Sequence, residues 1–390
     1  MSKNATYLYD IIECCKNTTI TKNIYISSLF QFNLRFYSVI FTSIHMNKQK
    51  ELTMNKLTKI GASALCGSLA AISTANAGEL AVSGGVAITW TSLTGQVTGN
   101  PLGMASNLTF AGSGELDNGW NVALSIAQGD AGAYSNTNIT IGVPGVGDFR
   151  VDQGVSGTGI QRMDDMTPSV WEEADGAGLS AGITKVSGVS AGANIEFTPS
   201  SDMVPAGLTI RAAWSPDADG SSTTGDKAAG GDSGVKGSGW DLTAELGSDL
   251  TGVDGLTIYG GISEVDQNQN GAKVNGDSSE TVLGVKYAMG GFTVGYQVND
   301  DETGLTGATS YDNTMYSVTF SVNDDLSIGY NHVESDKQGG NTAEAESLQV
   351  AYTMGGATIS ISDVDVTNQA HGTAASADLE ATIIKLGLAF

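Results

Sequence analysis

The chain has 390 residues, with 18 Lys+Arg against 42 Asp+Glu, a formal net charge of −24, 52 glycines and only 15% charged residues. So acidic a chain lacks the basic footprint that a nucleic-acid partner requires, while 40% hydrophobic residues is too many for a disordered acidic tail. It also has no run of about 20 unbroken apolar residues, the mark of a membrane-crossing helix.

Taken in chain order, residues 1–53 are rich in Asn, Lys, Ile, Tyr, Phe and Ser, with neither strand alternation nor a helical face. The apolar stretch Ile24–Ile44 is interrupted by Gln31, Asn33 and Arg35, each costly in a bilayer. At Met54 the pattern changes. Lys56 and Lys59 are followed by the small, apolar run Ile60–Ile72 and then by Ala75-Asn76-Ala77, the small-x-small site of a secretory signal peptide. The expectation is a start at Met54, cleavage before Gly78, and an extension 1–53 that a misplaced start codon accounts for. Eight of the basic and three of the acidic residues fall in 1–77, leaving 10 against 39 in residues 78–390, a net of −29. All three cysteines (Cys14, Cys15, Cys66) also precede Gly78, so the exported part has no disulfide framework and no thiolate chemistry.

From Gly78 onward the chain alternates with period two in short runs separated by turn residues. Phe292, Val294, Tyr296 and Val298 share one face against Thr293, Gly295 and Gln297; Leu348, Val350, Tyr352 and Met354 oppose Gln349, Ala351 and Thr353. A soluble sandwich and a membrane barrel both produce this alternation. The connections separate them. Sixteen runs begin near 79, 105, 120, 138, 148, 192, 208, 239, 256, 281, 292, 314, 326, 346, 357 and 379. Tight turns such as Asp117–Gly119, Pro144–Gly147, Met289–Gly291 and Gly355-Gly356 alternate with long polar connections such as Thr91–Met104, Pro216–Gly237, Asp300–Asn313 and Ser335–Ala345. A sandwich has no reason to sort its connections this way; a barrel with short periplasmic turns and long extracellular loops does. Trp90, Trp214, Trp240 and Tyr316 adjoin long loops, and Trp120, Tyr287, Phe292 and Phe390 adjoin short turns or the terminus, as two interfacial girdles require. The expected fold is all-β: a transmembrane, antiparallel, up-and-down β-barrel of 16 strands over residues 78–390.

The longest connection, about 154–191, carries Arg162, Asp164, Asp165, Glu172, Glu173 and Asp175, interleaved with Pro168 and Trp171. Alternation places Asp148, Arg150, Asp152, Glu196, Arg211, Lys286 and Lys385 on the lumen face of the wall. Further on, Asp266-x-Asn268-x-Asn270-Gly271 with Asp277 resembles the ligand spacing of a calcium loop, although strands flank it and the final Glu is missing. Asp, Asn and Gly are also ordinary loop residues. The chain ends on Ile384, Leu386, Leu388 and Phe390 along one face, which resembles the assembly signal of bacterial outer-membrane barrels.

With that terminus, Ser106–Trp120 and Ile139–Gln153, each resembling a β-turn-β unit of general-diffusion porins, complete the likeness. The chain from Gly78 to Phe390 resembles the sixteen-stranded, trimeric porins of Gram-negative outer membranes. The resemblance implies a third extracellular loop folded into the barrel, a water-filled path for small hydrophilic solutes and ions, a homotrimer, and delivery to the barrel assembly machinery through the C-terminal strand. It also implies lipid and lipopolysaccharide as surroundings. Two departures stand out: the family's dense arginine ladder is missing, and so is its Pro-Glu-Phe-Gly-Gly loop sequence.

Mostly negative lumen and loop charges favour cations. No cofactor is required, and calcium or other divalent cations in acidic loops are the one candidate ligand. Enzymatic readings are poor: His332 and His371 lie far apart, and no G-x-S-x-G nucleophile motif is present. The alternatives left open are a non-conducting adhesive or structural barrel and an outer-membrane hydrolase.

Overall fold

The computed structural model describes residues 79–390 apart from 96, 131–132, 156, 177–178, 219–234, 268–275 and 306–309. The readings of 1–53 and 54–77 therefore lie outside the described residues.

Sixteen strands follow one another: β1 (Glu79–Leu93), β2 (Leu102–Glu115), β3 (Asn121–Gly129), β4 (Ala133–Val143), β5 (Gly147–Asp152), β6 (Asn194–Pro199), β7 (Leu208–Ser215), β8 (Lys236–Leu246), β9 (Leu256–Gln267), β10 (Ser278–Met289), β11 (Phe292–Glu302), β12 (Ser310–Ser321), β13 (Leu326–Lys337), β14 (Ala343–Met354), β15 (Ala357–Thr367) and β16 (Leu379–Ala389). Each pairs antiparallel with its neighbours in sequence, and β1 pairs with β16, so the sheet closes into a barrel without an edge. Closure matters because every backbone N–H and C=O at membrane depth needs a partner from the protein. The seam is completed by the last residue: Gly84 N–H donates to Phe390 O and Phe390 N–H donates to Gly84 O, both at 3.0 Å.

Side chains alternate across the wall as expected. On β11, Phe292, Val294, Tyr296 and Val298 are exposed on the outside, while Gln297, Asn299 and Asp301 are buried on the inside. The register is uniform except for irregularities at Ala127/Gln128 and at Lys236/Gly239.

Two features of the wall depart from the sequence reading. Several strands begin earlier than their apolar runs, β4 at 133, β10 at 278, β12 at 310 and β14 at 343. The connection expected over Ser335–Ala345 shrinks to residues 338–342, and Tyr316 sits mid-strand on β12 rather than beside a long loop. The cause is that the hydrogen-bonded ladder continues beyond the apolar band, where outward positions no longer need to be hydrophobic. There the pattern inverts. Glu334, Glu346, Asp363, Asp365 and Glu380 point outward, while Val333, Ala345, Val364, Val366, Ala381 and Ile383 on the same strands are buried inside. The outward positions of β1–β8, in contrast, carry no acidic residue.

Candidate functional site: a loop seated inside the barrel

Between β5 and β6 the chain enters the barrel and crosses it, and the wall holds it there from many strands. Three wall carboxylates anchor it through its backbone. Glu196 on β6 accepts from Gly159 N–H at 2.8 Å, Asp241 on β8 from Ile160 N–H at 3.0 Å and Val189 N–H at 3.3 Å, and Glu280 on β10 from Ser187 and Gly188 N–H at 2.7 Å each. All three are nearly inaccessible to solvent. A buried carboxylate is tolerable only when hydrogen bonds replace its water, and here the loop backbone supplies them. Gly159 and Gly188 both have positive φ, and a Cβ at either would collide with the Asp241 carboxylate, so these two positions need glycine twice over.

Amide side chains on the next strands continue the seat. Gln297 accepts from Met166 N–H and donates to Met163 O and Asp164 O, at 2.8–3.1 Å, and it also accepts from Tyr259 OH at 2.7 Å. Gln349 accepts from Trp171 N–H at 2.9 Å and donates to Glu172 O. Asn313 donates to Thr184 O at 2.8 Å and Asn331 to Glu172 O at 3.2 Å. Each wall amide thus stands in for the backbone partner that the irregular loop lacks. Apolar packing adds to this: Trp171, Ala174, Leu179, Ala181 and Ile183 lie on the inner wall formed by Met315, Val333, Ala345, Val364 and Ile383. Ile160, Met163 and Val186 pack on Tyr259 and Val282. A turn of 3-10 helix, Gly159–Met163, begins the crossing.

The charged residues singled out in the sequence fall on the loop or face the lumen, and most are paired. Arg150 bonds Asp152 at 3.0 Å, Arg162 bonds Glu196 at 2.6 Å and Arg211 bonds Glu245 at 2.6 Å. Lys185 bridges Asp165 and Asp175 at 3.1 Å each. Asp148 faces the lumen beside Gly142 near the turn between β4 and β5. Lys286 and Lys385 differ. Among the described residues neither has a carboxylate within ion-pair distance; each instead sits over a ring, Lys286 at 5.6 Å from Tyr259 and Lys385 at 4.9 Å from Trp171.

Crowding of acids in a partly buried loop shifts their titration. Asp164 is pushed up to about 8 by burial, then by the charge of Asp165 and a hydrogen bond to it. Glu173 rises to about 7 by burial and then by Asp165. Burial also raises Glu172. Burial alone would lower Lys185, but Asp175, Asp165 and Asp164 raise it above its ordinary range. Arg162 is held charged by its hydrogen bond to Glu196.

Lys185, Asp241, Glu280, Gln297 and Gln349 are absent from the sequence-derived set. The available signal was alternation, which puts the last four on lumen positions among small residues, but nothing in the sequence says that a loop backbone lies opposite them. For the candidate calcium loop, Asn268 and Asn270 lie outside the described residues. Asp266 accepts from Ser238 Oγ at 2.6 Å and Asp277 from Gln267 N–H at 3.3 Å. Among the described residues no group of three acidic, His or Cys side chains is placed to hold a metal ion.

A closed barrel of sixteen strands with a loop seated across its lumen is the architecture of a channel, and a family comparison agrees. Residues 61–370 match the family model described as Gram-negative porin. The chain belongs to the Gram-negative porins. Membership places it in the outer membrane, as a channel rather than an enzyme. No curated relative matches the chain. Among solved structures, the anion-selective porin from Comamonas acidovorans superposes with a TM-score of 0.59 at 13% identity, covering 80% of this chain and 100% of that one. An OmpF from Salmonella typhi, in complex with daunomycin, gives 0.59 at 10% identity over 80% and 98%. OmpT of Vibrio cholerae, lacking its loop L8, gives 0.54 at 14% over 81% and 100%. Identities this low carry the fold alone. In this porin, then, the loop between β5 and β6 is seated within the lumen, and most of its charges are paired there.

Proposed function

We propose that this porin passes small hydrophilic solutes and ions through a constriction formed by residues 154–191, with preference for cations. The observation that carries the reading is the excess of acids on the seated loop: Asp164, Asp165, Glu172, Glu173 and Asp175 against Arg162 and Lys185. Arg162 is neutralised by Glu196, and the wall arginines by Asp152 and Glu245, so the residual field at the narrowing is negative. A low-dielectric wall concentrates such a field and enriches cations there. Reversal potentials of the protein in a planar bilayer under a KCl gradient test this. A potential of the cation-selective sign is expected; an anion-selective sign overturns the preference, and absence of conductance overturns the channel.

The same reading extends to partners. The acid-free outer sector β1–β8 is suited to contact with further copies in a homotrimer. Outward Glu334, Glu346, Asp363, Asp365 and Glu380 sit where divalent cations, calcium among them, would bridge to lipopolysaccharide phosphates. Phe390, Leu388 and Leu386 on β16 are suited to recognition by the barrel assembly machinery.

A further inference from the structure

Lys385 marks a second feature of the lumen. It projects from β16 with two hydroxyl residues opposite it in the register, Ser360 on β15 and Thr89 on β1. Its ammonium lies over the indole of Trp171, at the turning tip of the seated loop. Of the five tryptophans Trp171 alone faces the lumen; Trp90, Trp120, Trp214 and Trp240 are exposed on the strand ends. Beside this pair a recess of about 510 Å³ opens toward the short-turn end of the barrel, between the loop tip and the inner faces of β15, β16, β1 and β2. Its wall is built mostly from small or neutral residues, including Ala87, Ala105, Asn107, Thr358 and Gly387, with one acid, Asp130, whose carboxylate accepts from Ser106 N–H at 2.8 Å. At Gly387 an added Cβ would meet nothing nearer than Thr358 O at 3.9 Å, so the space there is open.

The ring contact has a chemical consequence. The lumen arginines and Lys185 spend their charge on protein carboxylates, whereas an ammonium over a ring, as at Lys385 and Lys286, keeps donors free for a mobile acceptor. Hydroxyls flank it, and among the described residues no carboxylate, that of Asp130 in the same wall included, lies within ion-pair distance of it. Glu172, next to Trp171 in the chain, lies near enough for the charge of Lys385 to act on its carboxyl. The recess therefore offers a fixed cation, Lys385, with one carboxylate in its lining, Asp130, and another, Glu172, next in the chain to the lining residue Trp171.

We propose that this recess is a solute-binding subsite of the pore that takes small carboxylates, the carboxylate held by Lys385 and the solute body lying along the small residues of the wall. Two sources share that chemistry: simple organic acids, and zwitterions whose ammonium group is held by Glu172. The proposal deepens the channel reading by naming a solute class, and it does not conflict with cation preference. The loop acids set which ions cross freely, while Lys385 retains a carboxylate at the wall.

The test uses the detergent-solubilised full barrel, with folding checked by heat-modifiable mobility, and saturation-transfer NMR with acetate, glycine and glycerol as probes. Saturable binding of acetate and glycine, or of glycine alone, supports the proposal, the second result assigning the zwitterion. Lys385→Gln is expected to weaken binding roughly tenfold or more, with Lys385→Arg retaining most of it. Gly387→Val, which fills open space, is expected to abolish it in a barrel that still folds. Binding that is unchanged in Lys385→Gln, glycerol binding as well as the carboxylates, or no carboxylate binding at all overturns the proposal. Conductance of the same preparation separates the two readings: a barrel that conducts without binding sinks only the subsite, and one that binds without conducting sinks only the channel.

Discussion

Asp164 and Glu173 show how one pair of side chains sets a pore's response to pH. With Asp164 titrating near 8 and Glu173 near 7, both are largely protonated in mild acid and ionised in mild base. Raising the pH from about 6 to about 9 therefore adds negative charge to the loop, and the K⁺/Cl⁻ permeability ratio should rise across that window. A ratio that is flat or falls would remove these acids from the permeation path. Neutralising both by Asp164→Asn with Glu173→Gln should lower the ratio by roughly half and flatten its pH dependence, measured by reversal potential. The anchors make a separate prediction. Glu280→Gln replaces the charged oxygen that accepts from both Ser187 and Gly188 N–H with a neutral amide oxygen and turns the amide NH₂ toward Lys236, and should loosen the seat by about 1–3 kcal/mol. Limited proteolysis should then cut within 154–191, and single-channel current should become larger and noisier. Of this site, the charges of the loop and wall were legible in the sequence because they lie at countable positions. Asp241 and Glu280 were not, because their role depends on a backbone more than 50 residues away in the chain meeting them across the lumen.

At the scale of the element, one strand carries two instructions in succession. The half of β15 near the short turn presents Ile359 and Ile361 outward and hides Ser360 and Ser362; its far half presents Asp363 and Asp365 outward and hides Val364 and Val366. The backbone alternation never slips; only the medium on each side changes, lipid giving way to water outside and water giving way to the packed loop inside. Sixteen runs were countable because period two and turn chemistry survive this exchange. Strand ends were misplaced because hydropathy, not hydrogen bonding, marked them, as at Asp312 and Thr314 on β12. Two substitutions read the exchange. Val350→Arg, outward within the apolar band, should cost about 2–4 kcal/mol of barrel stability in a urea titration. Val364→Asp should leave the barrel standing and unseat the loop instead, seen as protease sensitivity within 154–191. A barrel that fails to form with Val364→Asp would place that residue in the wall's own stability.

For the whole molecule, closure is decided where the first and last strands meet. Phe390 exchanges both backbone hydrogen bonds with Gly84, and β1 pairs with β16 from Gly85 to Leu93. Deleting Phe390 should reduce heat-modifiable, assembled barrel several-fold in cells while leaving synthesis unchanged, as judged by total antigen. That the last residue should be aromatic was legible in the sequence; that it completes the ladder to Gly84 required the register.

The seated loop also has a mechanical side. A hollow cylinder yields most easily by flattening to an oval, and a member tied across its bore resists that mode. Here the hydrogen-bonded ties run to β6, β8, β10, β11, β12, β13 and β14; among the described residues none crosses to the arc from β1 to β5, where Leu93 packs against the loop's apolar cluster. Lateral pressure from the bilayer would thus be taken up as bending of that arc, while the braced side moves with the loop as one piece. The width of the passage then depends on how the free arc is supported from outside, and neighbouring copies or stiff lipid along β1–β5 would act as its buttress.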